Sequence, residues 1–556
     1  MASYYRAVIM LLLASGSLVA AAAQENSRDL ERKVDQVFAD YNRPDSPGCA
    51  LGVVRDGEFL YKRGYGSASL ELGVALTPQS VFYMGSVSKQ FTAASVVLAA
   101  EQGHLSLDDD VRKYIPELPA YGHTITLRHM LNHTSGYRDF LELLILSGEN
   151  WEDVHTMPEI LDLLSRQKAL NFVPGSEYLY SNTNFVLMSE IIRRTTGKSL
   201  PQFAEENIFK PLGMSHTRFY DNRIVVVPGR IPAYKPLAAG GFGVDSTGNF
   251  DLVGDGGLLS SVDDLLLWDR NFYANKLGKG TLLREMQKPG VLNDGKQIGY
   301  GLGLFISTYR GLPIIEHGGS LFGYRLELLR LPQQKFSVIA LCNLESAKPR
   351  LLANRVADIY LEKQESPEAA AVRVDPQPFS GQYRNPKSHS VLDLSAADGE
   401  LISGGEHFKA SGPRQFRSAS EQQLTFEPAA GAPAVLVLTG PDTLPQRFER
   451  FQPVEPSAAD LAQYAGVYTS GEITAPYRFT VQDGHLALAI RWRPPVLLVP
   501  STRDEFLNPA FGTSFAFHRD AAGRIEGFDI FSPRVRDMAF AKAAHPAGNP
   551  AHSSPP

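Results

Sequence analysis

The sequence predicts an α+β region over residues 24–365, followed by two small antiparallel β-barrels over residues 366–453 and 454–545. Strand-like runs lie at both ends of the first region, and segments with helical periodicity lie between them. Helical periodicity then disappears after a stretch rich in Pro, Ala and Glu near residue 365. The segment Phe379–Tyr383 recurs as Tyr464–Tyr468, and each copy opens a unit of short alternating strands. We therefore expect one sheet whose first and last strands pair, and then two similar barrels.

The amino terminus has the features of an export signal. One early cation, Arg6, precedes an uncharged run from Ala7 to Ala23 that ends in small residues. This pattern is typical of a secretory signal peptide, so we expect cleavage to remove residues 1–23. The run is shorter than the ~20 apolar residues that a membrane-spanning helix needs. We predict a periplasmic or secreted protein without a stable membrane anchor, with a disordered tail over residues 546–556.

Charge and histidine spacing exclude two classes of function. The net charge is −6 and the chain has no long run of Lys or Arg, which argues against a nucleic-acid partner. His129 and His133 have the spacing of a zinc-binding helix, but Met130 stands where a metalloprotease needs its glutamate. Two histidines are too few for a zinc site, so we expect no metal and no cofactor.

The chain has two cysteines, and the sequence leaves two interpretations of them open. Cys49 opens a strand-like run and Cys342 closes another. Free cysteines usually behave as small buried hydrophobic residues, and the sequence by itself favours this interpretation. If the first and last strands of the sheet are antiparallel neighbours, however, the two residues meet and a disulfide can form.

A serine and a lysine one helical turn apart form the strongest candidate for chemistry. Ser86-Val-Ser-Lys89 lies at the start of a helix predicted from Ser88 to Gln102. A lysine in a dry pocket can lose its proton and activate a serine hydroxyl. Ser165-Arg-Gln-Lys168 has the same spacing but lies inside an amphipathic helix with no sign of a cleft. We predict Ser86 as the nucleophile and Lys89 as its base.

Two further motifs follow Ser86 along the chain, and the order of the three motifs is that of a known family. Tyr180-Ser-Asn182 precedes a predicted helix, and His317-Gly-Gly319 ends a predicted strand. Ser-x-x-Lys, Tyr-x-Asn and His/Lys-x-Gly in this order resemble the signature of penicillin-binding-type serine hydrolases, over about residues 30–350. Thr77–Ser86 and Leu131–Gly136 are similar to the class C β-lactamase and D-aminopeptidase branch. A β-lactamase/transpeptidase-like domain followed by two lipocalin-like barrels is similar in architecture to the bacterial D-aminopeptidases.

The resemblance implies a role for each motif residue. Ser86 would become acylated, while Lys89 and Tyr180 carry its proton to the leaving group. Asn182 would hydrogen-bond Lys89 and the substrate amide, and His317 occupies a position often held by lysine. The oxyanion would lie between the backbone N–H groups of Ser86 and Ser320. The residues expected to contact the substrate or the oxyanion on this strand are Gly318, Gly319 and Ser320.

The neutral imidazole of His317 affects the expected substrate. Because imidazole is mostly uncharged at pH 7, it anchors a substrate carboxylate less well than lysine does. This favours amides or esters that are anchored elsewhere, such as through a free amine. With the resemblance to the D-aminopeptidases, we expect hydrolysis of short peptides or D-aminoacyl amides. The alternatives are an esterase or weak β-lactamase, a cell-wall DD-peptidase, or a penicillin-binding or sensor protein that does not turn over. We expect barrel loops at Arg491–Arg493 or Ser501–Ser514 to cover the cleft, unless these are ordinary barrel turns.

Overall fold

The computed structural model describes most of the chain. The described residues are 25, 27–150, 153–245, 251–361, 373–428, 431, 433–440 and 443–543. The predicted signal peptide at residues 1–23 and the predicted tail at residues 546–556 lie outside them.

An antiparallel sheet forms the centre of the first region. The strands of this region are β1 (Cys49–Arg55), β2 (Glu58–Tyr65), β3 (Ser67–Ser69), β4 (Val74–Ala75), β5 (Phe82–Tyr83), β6 (Arg218–Phe219), β7 (Tyr234–Pro236), β8 (Phe242–Val244), β9 (Leu258–Ser260), β10 (Phe305–Tyr309), β11 (Leu312–Leu321), β12 (Tyr324–Leu331) and β13 (Phe336–Cys342). The main sheet has the order β10-β11-β12-β13-β1-β2, and the other strands form three small sheets. The first and last strands, β1 and β13, therefore pair antiparallel as predicted.

Helices cover both faces of this sheet. They are α1 (27–37), α2 (Ser88–Glu101), α3 (Leu127–Leu131), α4 (Phe140–Leu146), α5 (Met157–Ser165), α6 (Asn182–Thr196), α7 (Leu200–Ala204), α8 (Lys210–Leu212), α9 (Val262–Ala274), α10 (Leu282–Met286) and α11 (Pro349–Tyr360). Along β1, Leu51 and Val53 pack in the cluster that contains α1 and α11. Ala50 and Val54 pack on the opposite side, in the larger cluster that contains α2. Burial of both faces explains why the strand is continuously apolar.

The pairing of β1 with β13 decides between the two interpretations of the cysteines. Cys49 and Cys342 are direct partners in the register, with their Cα atoms 4.0 Å apart. The two residues form a disulfide, so the preference for free cysteines was wrong. Strand pairing brings together residues that are 293 positions apart in sequence.

Two β-rich units follow, and the first closes into a barrel. Its strands are β14 (Gly381–Arg384), β15 (Val391–Ala397), β16 (Glu400–Ser403), β17 (Glu406–Gly412), β18 (Gln415–Ser418), β19 (Gln423–Phe426), β20 (Val435–Gly440) and β21 (Thr443–Phe451). The second unit begins with α12 (Ala458–Tyr464) and continues with β22 (Gly466–Thr469), β23 (Tyr477–Gln482), β24 (His485–Ile490), β25 (Val496–Leu497), β26 (Val499–Pro500), β27 (Glu505–Asn508), β28 (Thr513–Arg519), β29 (Ile525–Ser532) and β30 (Val535–Lys542). The predicted fold class is confirmed. The predicted boundaries at 365 and 453 stay predictions, although all these strands lie within them.

The internal repeat has the same structural role in both units. The Tyr383 hydroxyl donates to the Phe379 carbonyl at 3.0 Å, and the Tyr468 hydroxyl donates to the Tyr464 carbonyl at 2.8 Å. In each copy, the tyrosine ring lies in the barrel core and its hydroxyl closes the turn that leads into the first strand. The repeated sequence thus forms the same hydrogen-bonded turn at the start of each barrel.

The two barrels are attached to the first region in different ways. The first barrel has a hydrophobic core of its own. The second barrel instead shares one continuous cluster of buried side chains with the first region. A buried ion pair joins them as well, because Arg138 Nη1 lies 2.5 Å from Glu472 Oε2 and both side chains are almost fully buried. Among the described helices, none is long and apolar enough to cross a membrane.

Candidate active site

The three sequence motifs meet in one cleft of about 1720 Å³. Ser86, Tyr180, Asn182 and His317 all line it. Residues of both barrels also contribute to its wall, which the motifs alone did not indicate. The first region therefore supplies the candidate chemistry, and the barrels limit the space around it.

A tight backbone approach places Ser86 at the edge of the sheet. Gly85 begins a short 3₁₀ turn, Gly85–Val87, which runs directly into α2. Its φ is +48°, and a Cβ atom there would lie 2.9 Å from the Ser320 backbone nitrogen. Only glycine combines this conformation with this contact. The turn thus brings the Ser86 backbone beside Ser320, as the predicted oxyanion site requires.

The end of β11 offers a free strand edge to a substrate. β10 pairs with β11 only as far as Glu316, whereas β12 pairs with it through Leu321. In the described part of the chain, residues 317–321 therefore have no strand partner on the side of the nucleophile. Gly319 is required there, since a Cβ atom would lie 2.3 Å from the Met84 carbonyl oxygen. The predicted substrate residues Gly318, Gly319 and Ser320 all line the cleft.

The Lys89 amine is held by three neighbours inside the protein. Lys89 is fully buried, and its Nζ atom lies 3.1 Å from Ser86 Oγ. The same nitrogen donates to Asn182 Oδ1 at 2.8 Å and to the Asp255 carbonyl at 2.7 Å. A neutral amine has two N–H bonds and one lone pair. Because two acceptors take the two N–H bonds, the lone pair of a neutral Lys89 faces the Ser86 hydroxyl.

Burial lowers the pKa of Lys89 well below that of a free lysine, because the charged form loses its hydration. The carboxylates of Asp255 and Asp139 act in the opposite direction, while the Arg534 guanidinium lowers the pKa further. Burial likewise raises the pKa of Asp255, although the Lys89 charge opposes this. The pocket therefore suits a lysine that acts as a base near neutral pH.

Tyr180 lies against both the Lys89 amine and the Ser86 hydroxyl. The Lys89 Nζ atom is 4.9 Å from the centre of the Tyr180 ring. Burial raises the pKa of Tyr180, and the Ser86 hydroxyl partly offsets this. Among the described residues, the buried Tyr180 hydroxyl has no fully formed hydrogen bond. It is thus placed to exchange a proton with a bound substrate.

His317 is buried and uncharged. Its Nε2 atom lies 3.0 Å from the Tyr300 hydroxyl, and its Nδ1 atom lies 2.7 Å from the Gly318 carbonyl oxygen. Burial lowers the pKa of His317 to about 3, and the nearby Lys89 charge contributes to this. The imidazole is therefore neutral near pH 7, as the sequence predicted, and provides no permanent cation for a substrate carboxylate.

Two buried residues that the motifs did not identify support the site. The Asp139 carboxylate caps α4 and accepts a hydrogen bond from the Asn182 backbone N–H at 2.6 Å. His133 accepts one from the Ser181 N–H at 3.1 Å, and its ring centre lies 4.1 Å from that of Tyr180. His133 lies within the Leu131–Gly136 segment and Asp139 follows it by three positions. The similarity of that segment to the family was therefore the sequence signal that could have identified both residues. His129 is separate, because its side chain forms the capping box of α3.

A hairpin of the second barrel reaches this group. The cleft hairpin, which we define as residues 532–536, joins the end of β29 to the start of β30 and is anchored on α4. Glu142 accepts hydrogen bonds from the Ser532 hydroxyl and from the Arg534 N–H, the latter at 2.8 Å. The Arg534 guanidinium lies 3.6 Å from Asp139 and over the ring of Tyr180. Arg534 belongs to no sequence motif, and it follows the His317-Gly-Gly319 motif by more than 200 positions.

The barrel loops that the sequence favoured lie elsewhere. Arg491 pairs with Glu149 at 2.9 Å, and Arg493 donates to the carbonyls of Ile145 and Glu149. The Arg491–Arg493 segment therefore docks on the end of α4, and residues 501–514 do not line the cleft either. The prediction that these loops cover the cleft was wrong, because the hairpin at residues 532–536 occupies that place.

Comparison with known proteins identifies the family of the chain. The beta-lactamase family model matches residues 32–362. The chain belongs to the beta-lactamase family. The resemblance noted from the three motifs is thus confirmed, and the protein is a serine hydrolase related to β-lactamases.

Similar proteins and similar solved structures match most of the chain. A D-aminopeptidase of Brucella melitensis is 27% identical over 87% of this chain and 93% of that protein. A D-aminopeptidase of Gluconobacter oxydans is 28% identical over 77% of this chain and 80% of that protein. The octameric penicillin-binding protein homologue from Pyrococcus abyssi has a TM-score of 0.55 at 22% identity, covering 84% of this chain and 98% of its own. D-amino acid amidase from Ochrobactrum anthropi has a TM-score of 0.51 at 22% identity, and the match covers 60% of this chain and 99% of the amidase chain.

Proposed function

We propose that this member of the beta-lactamase family is an exported D-aminopeptidase-like enzyme that hydrolyses D-aminoacyl amides and short peptides. One observation carries the chemical part of the proposal. The buried Lys89 amine has acceptors for two N–H bonds and lies 3.1 Å from the Ser86 hydroxyl. A serine that faces such a base is an activated nucleophile for acyl transfer.

In the proposed reaction, neutral Lys89 takes the proton of the Ser86 hydroxyl while the oxygen attacks the substrate carbonyl. The oxyanion accepts hydrogen bonds from the backbone N–H groups of Ser86 and Ser320. Lys89 and Tyr180 then deliver the proton to the leaving nitrogen, and the C–N bond breaks. Water attacks the acyl-enzyme by the reverse proton path, which releases the acid and restores the serine.

Three features favour an amide with a free amino end over a β-lactam or a DD-peptide. His317 is neutral, so a substrate carboxylate gains no permanent cation at that position. Both barrels line the cleft, which favours short substrates over bulky polymers. The Brucella melitensis relative aligns over 87% of this chain, which is more than the first region alone. The relatives named D-aminopeptidase are the reason for the D-configuration in the proposal.

Export is the remaining part of the proposal. The amino-terminal pattern at residues 1–23 predicts it, and the Cys49–Cys342 disulfide is consistent with an oxidising compartment. Expression with a carboxy-terminal tag, followed by fractionation and amino-terminal sequencing, tests this part. Mature protein that begins near Gln24 in the periplasm or medium is expected, and retention of residues 1–23 on a cytoplasmic protein would contradict it.

The activity is tested by kinetics on a matched set of substrates. We expect D-alanine p-nitroanilide to be hydrolysed with a higher kcat/KM than the L-isomer and than a chromogenic cephalosporin, and Ser86→Ala to abolish all turnover. Ser165→Ala is the matched control, because its serine has the same spacing to a lysine but lies on α5 outside the cleft. Preference for the cephalosporin, or labelling without turnover, would favour the β-lactamase or sensor alternatives.

A further inference from the structure

Asp255 lies in the wall of the cleft beside the catalytic pair. Its backbone carbonyl accepts the hydrogen bond from Lys89 Nζ at 2.7 Å. The residue is half-buried and lines the cleft together with Ser86. The next residue, Gly256, lies close to the turn that carries Ser86, because a Cβ atom there would lie 3.3 Å from the Tyr83 hydroxyl and 4.0 Å from the Gly85 carbonyl oxygen. The segment is thus packed against the turn that carries the nucleophile.

The Asp255 carboxylate differs from the other acidic group near Lys89. Asp139 is occupied by the Asn182 N–H, by the start of α4 and by Arg534. Within the described residues, the Asp255 side chain forms no salt bridge, and the groups that favour its ionised form are Lys89 and nearby backbone N–H groups. A carboxylate in a cleft wall without a salt bridge is complementary to a cationic ligand.

The proposed substrates carry such a cation at a fixed distance from the reacting carbon. In an aminoacyl amide, the nitrogen of the α-ammonium is separated from the carbonyl carbon by the Cα atom alone. The two bonds of about 1.46 Å and 1.52 Å place the nitrogen about 2.5 Å from that carbon. When the carbonyl carbon lies at Ser86, the ammonium must therefore bind in the immediate wall of the cleft.

We propose that Asp255 binds the α-ammonium of the substrate and thereby makes the enzyme selective for acyl groups with a free amine. This inference rests on the proposed function and identifies the residue that would bind the amino end of the substrate. It also has a consequence for the rate. An ammonium next to Asp255 offsets the negative charge that stabilises protonated Lys89, so binding of the right substrate favours the neutral, reactive amine.

The charged environment of Lys89 is defined by residues from several segments. Asp255 from the loop before β9 and Asp139 from the start of α4 favour the ammonium form, whereas Arg534 from the cleft hairpin disfavours it. His317 on β11 and His133 after α3 are kept neutral by burial, and burial also keeps Tyr180 protonated. Asp255 is the acidic member of this set that lines the cleft.

A competing role for Asp255 is that of a counter-ion to Lys89 with no substrate contact. Such a role would change the pH dependence of the reaction equally for every substrate. A substrate contact instead changes the ratio between substrates that differ only by the amine. The two roles are therefore separated by a ratio measured at the pH-independent plateau of kcat/KM.

The test uses the full-length mature enzyme with two esters, D-alanine phenyl ester and phenyl propionate, which differ only by the amine. For the unaltered enzyme we expect a clear preference for the D-alanine ester. Asp255→Asn should reduce kcat/KM for the D-alanine ester by about 10- to 100-fold, as expected for the loss of one charge-assisted hydrogen bond. Hydrolysis of phenyl propionate should stay within a factor of about three, because this acyl group makes no such bond.

Asp251→Asn is the matched control, since Asp251 lies four positions away and pairs with Arg223. It should leave the ratio unchanged. An equal loss on both esters in Asp255→Asn, or an unchanged preference for the amine, would overturn the inference. Failure to hydrolyse D-alanine p-nitroanilide while the ester preference and its loss in Asp255→Asn remain would instead overturn the proposed amidase function.

Discussion

The guanidinium carbon of Arg534 lies 4.9 Å from the centre of the Tyr180 ring. Arg534 belongs to the second barrel and Tyr180 to the first region, so one contact joins the carboxy-terminal unit to the candidate proton path. The same guanidinium lies 3.6 Å from Asp139, whose carboxylate holds the Asn182 backbone N–H at 2.6 Å. Through these contacts, the second barrel contributes to the electrostatics of the site as well as to its shape.

Removal of the Arg534 cation should shift the pH dependence of activity. The Arg534 charge lowers the pKa of Lys89. In the proposed reaction, only neutral Lys89 accepts the serine proton. In Arg534→Gln the pKa of Lys89 should therefore rise, and the acidic limb of the kcat/KM profile should move to higher pH. The measurement is kcat/KM for D-alanine p-nitroanilide across the pH range.

Arg524→Gln provides the control for that shift, because Arg524 lies in the same barrel with a largely exposed side chain. The acidic limb of the kcat/KM profile of Arg524→Gln should coincide with that of the unaltered enzyme. A limb in Arg534→Gln that stays in place or moves to lower pH would contradict the electrostatic role of the cleft hairpin.

The acidic limb should not depend on His317. Burial lowers the pKa of His317 to about 3, so its ring is already neutral wherever the enzyme is active near pH 7. In His317→Gln we expect a lower plateau, because the contacts to Tyr300 and Gly318 change, but an acidic limb at the same pH. Disappearance of the limb in this variant would assign the titration to His317 and not to Lys89.

The buried pair Arg138–Glu472 should hold the second barrel in place. Arg138→Met would leave the Glu472 carboxylate buried without its partner, which costs about 3–5 kcal/mol in comparable cases. It would also remove the hydrogen bonds to the carbonyls of Arg536, in the cleft hairpin, and of Asp537, which follows it. We expect a loss of that size in the free energy of unfolding, measured with denaturant, together with reduced activity.

The exposed pair Arg524–Asp520 is the counterpart of this experiment. Arg524→Met should change the free energy of unfolding by less than about 0.5 kcal/mol. Equal effects of the two arginine substitutions would show that burial of Arg138 does not determine its contribution.

The disulfide should stabilise the sheet without taking part in the chemistry. It joins β1 to β13, while Ser86 and Lys89 lie on α2 and the turn before it. In the double variant Cys49→Ala/Cys342→Ala, the free energy of unfolding should fall by about 2–5 kcal/mol. The kcat of folded enzyme should stay close to that of the unaltered protein. Two titratable thiols in the denatured, unreduced wild-type protein would contradict the bridge.

Much of the site was predictable because its chemistry is encoded locally. Ser86 and Lys89 are one helical turn apart, so their contact follows from the helix alone. The order of the Tyr180 and His317 motifs then indicated the family, and the family indicates the fold. The pairing of β1 with β13 was predictable in outline, but the disulfide depends on the exact register, which places Cys49 directly opposite Cys342 and which the sequence does not specify.

The sequence predicted that loops of the second barrel cover the cleft, but it could not indicate that the hairpin with Arg534 is the segment that reaches the site. Arg534 lies in an ordinary two-residue turn, and its importance depends on how the barrel docks on α4. That docking depends on Arg138, which resembles any surface arginine in the sequence but is almost fully buried in the structure. Asp255 lies in a glycine-rich segment without a motif, and its meaning depends on the backbone contact with Lys89. Long-range packing, and not local pattern, placed these residues.

The most direct test of the account is to identify the residue that becomes acylated. Purified mature enzyme is mixed with the phenyl ester of D-alanine, quenched in acid within milliseconds to seconds, and digested for mass spectrometry of the peptides. We predict that the mass of a D-alanyl group is found on the peptide that contains Ser86 and on no peptide of Ser86→Ala. An acyl group on another residue such as Ser165, or turnover that persists in Ser86→Ala, would contradict the central claim.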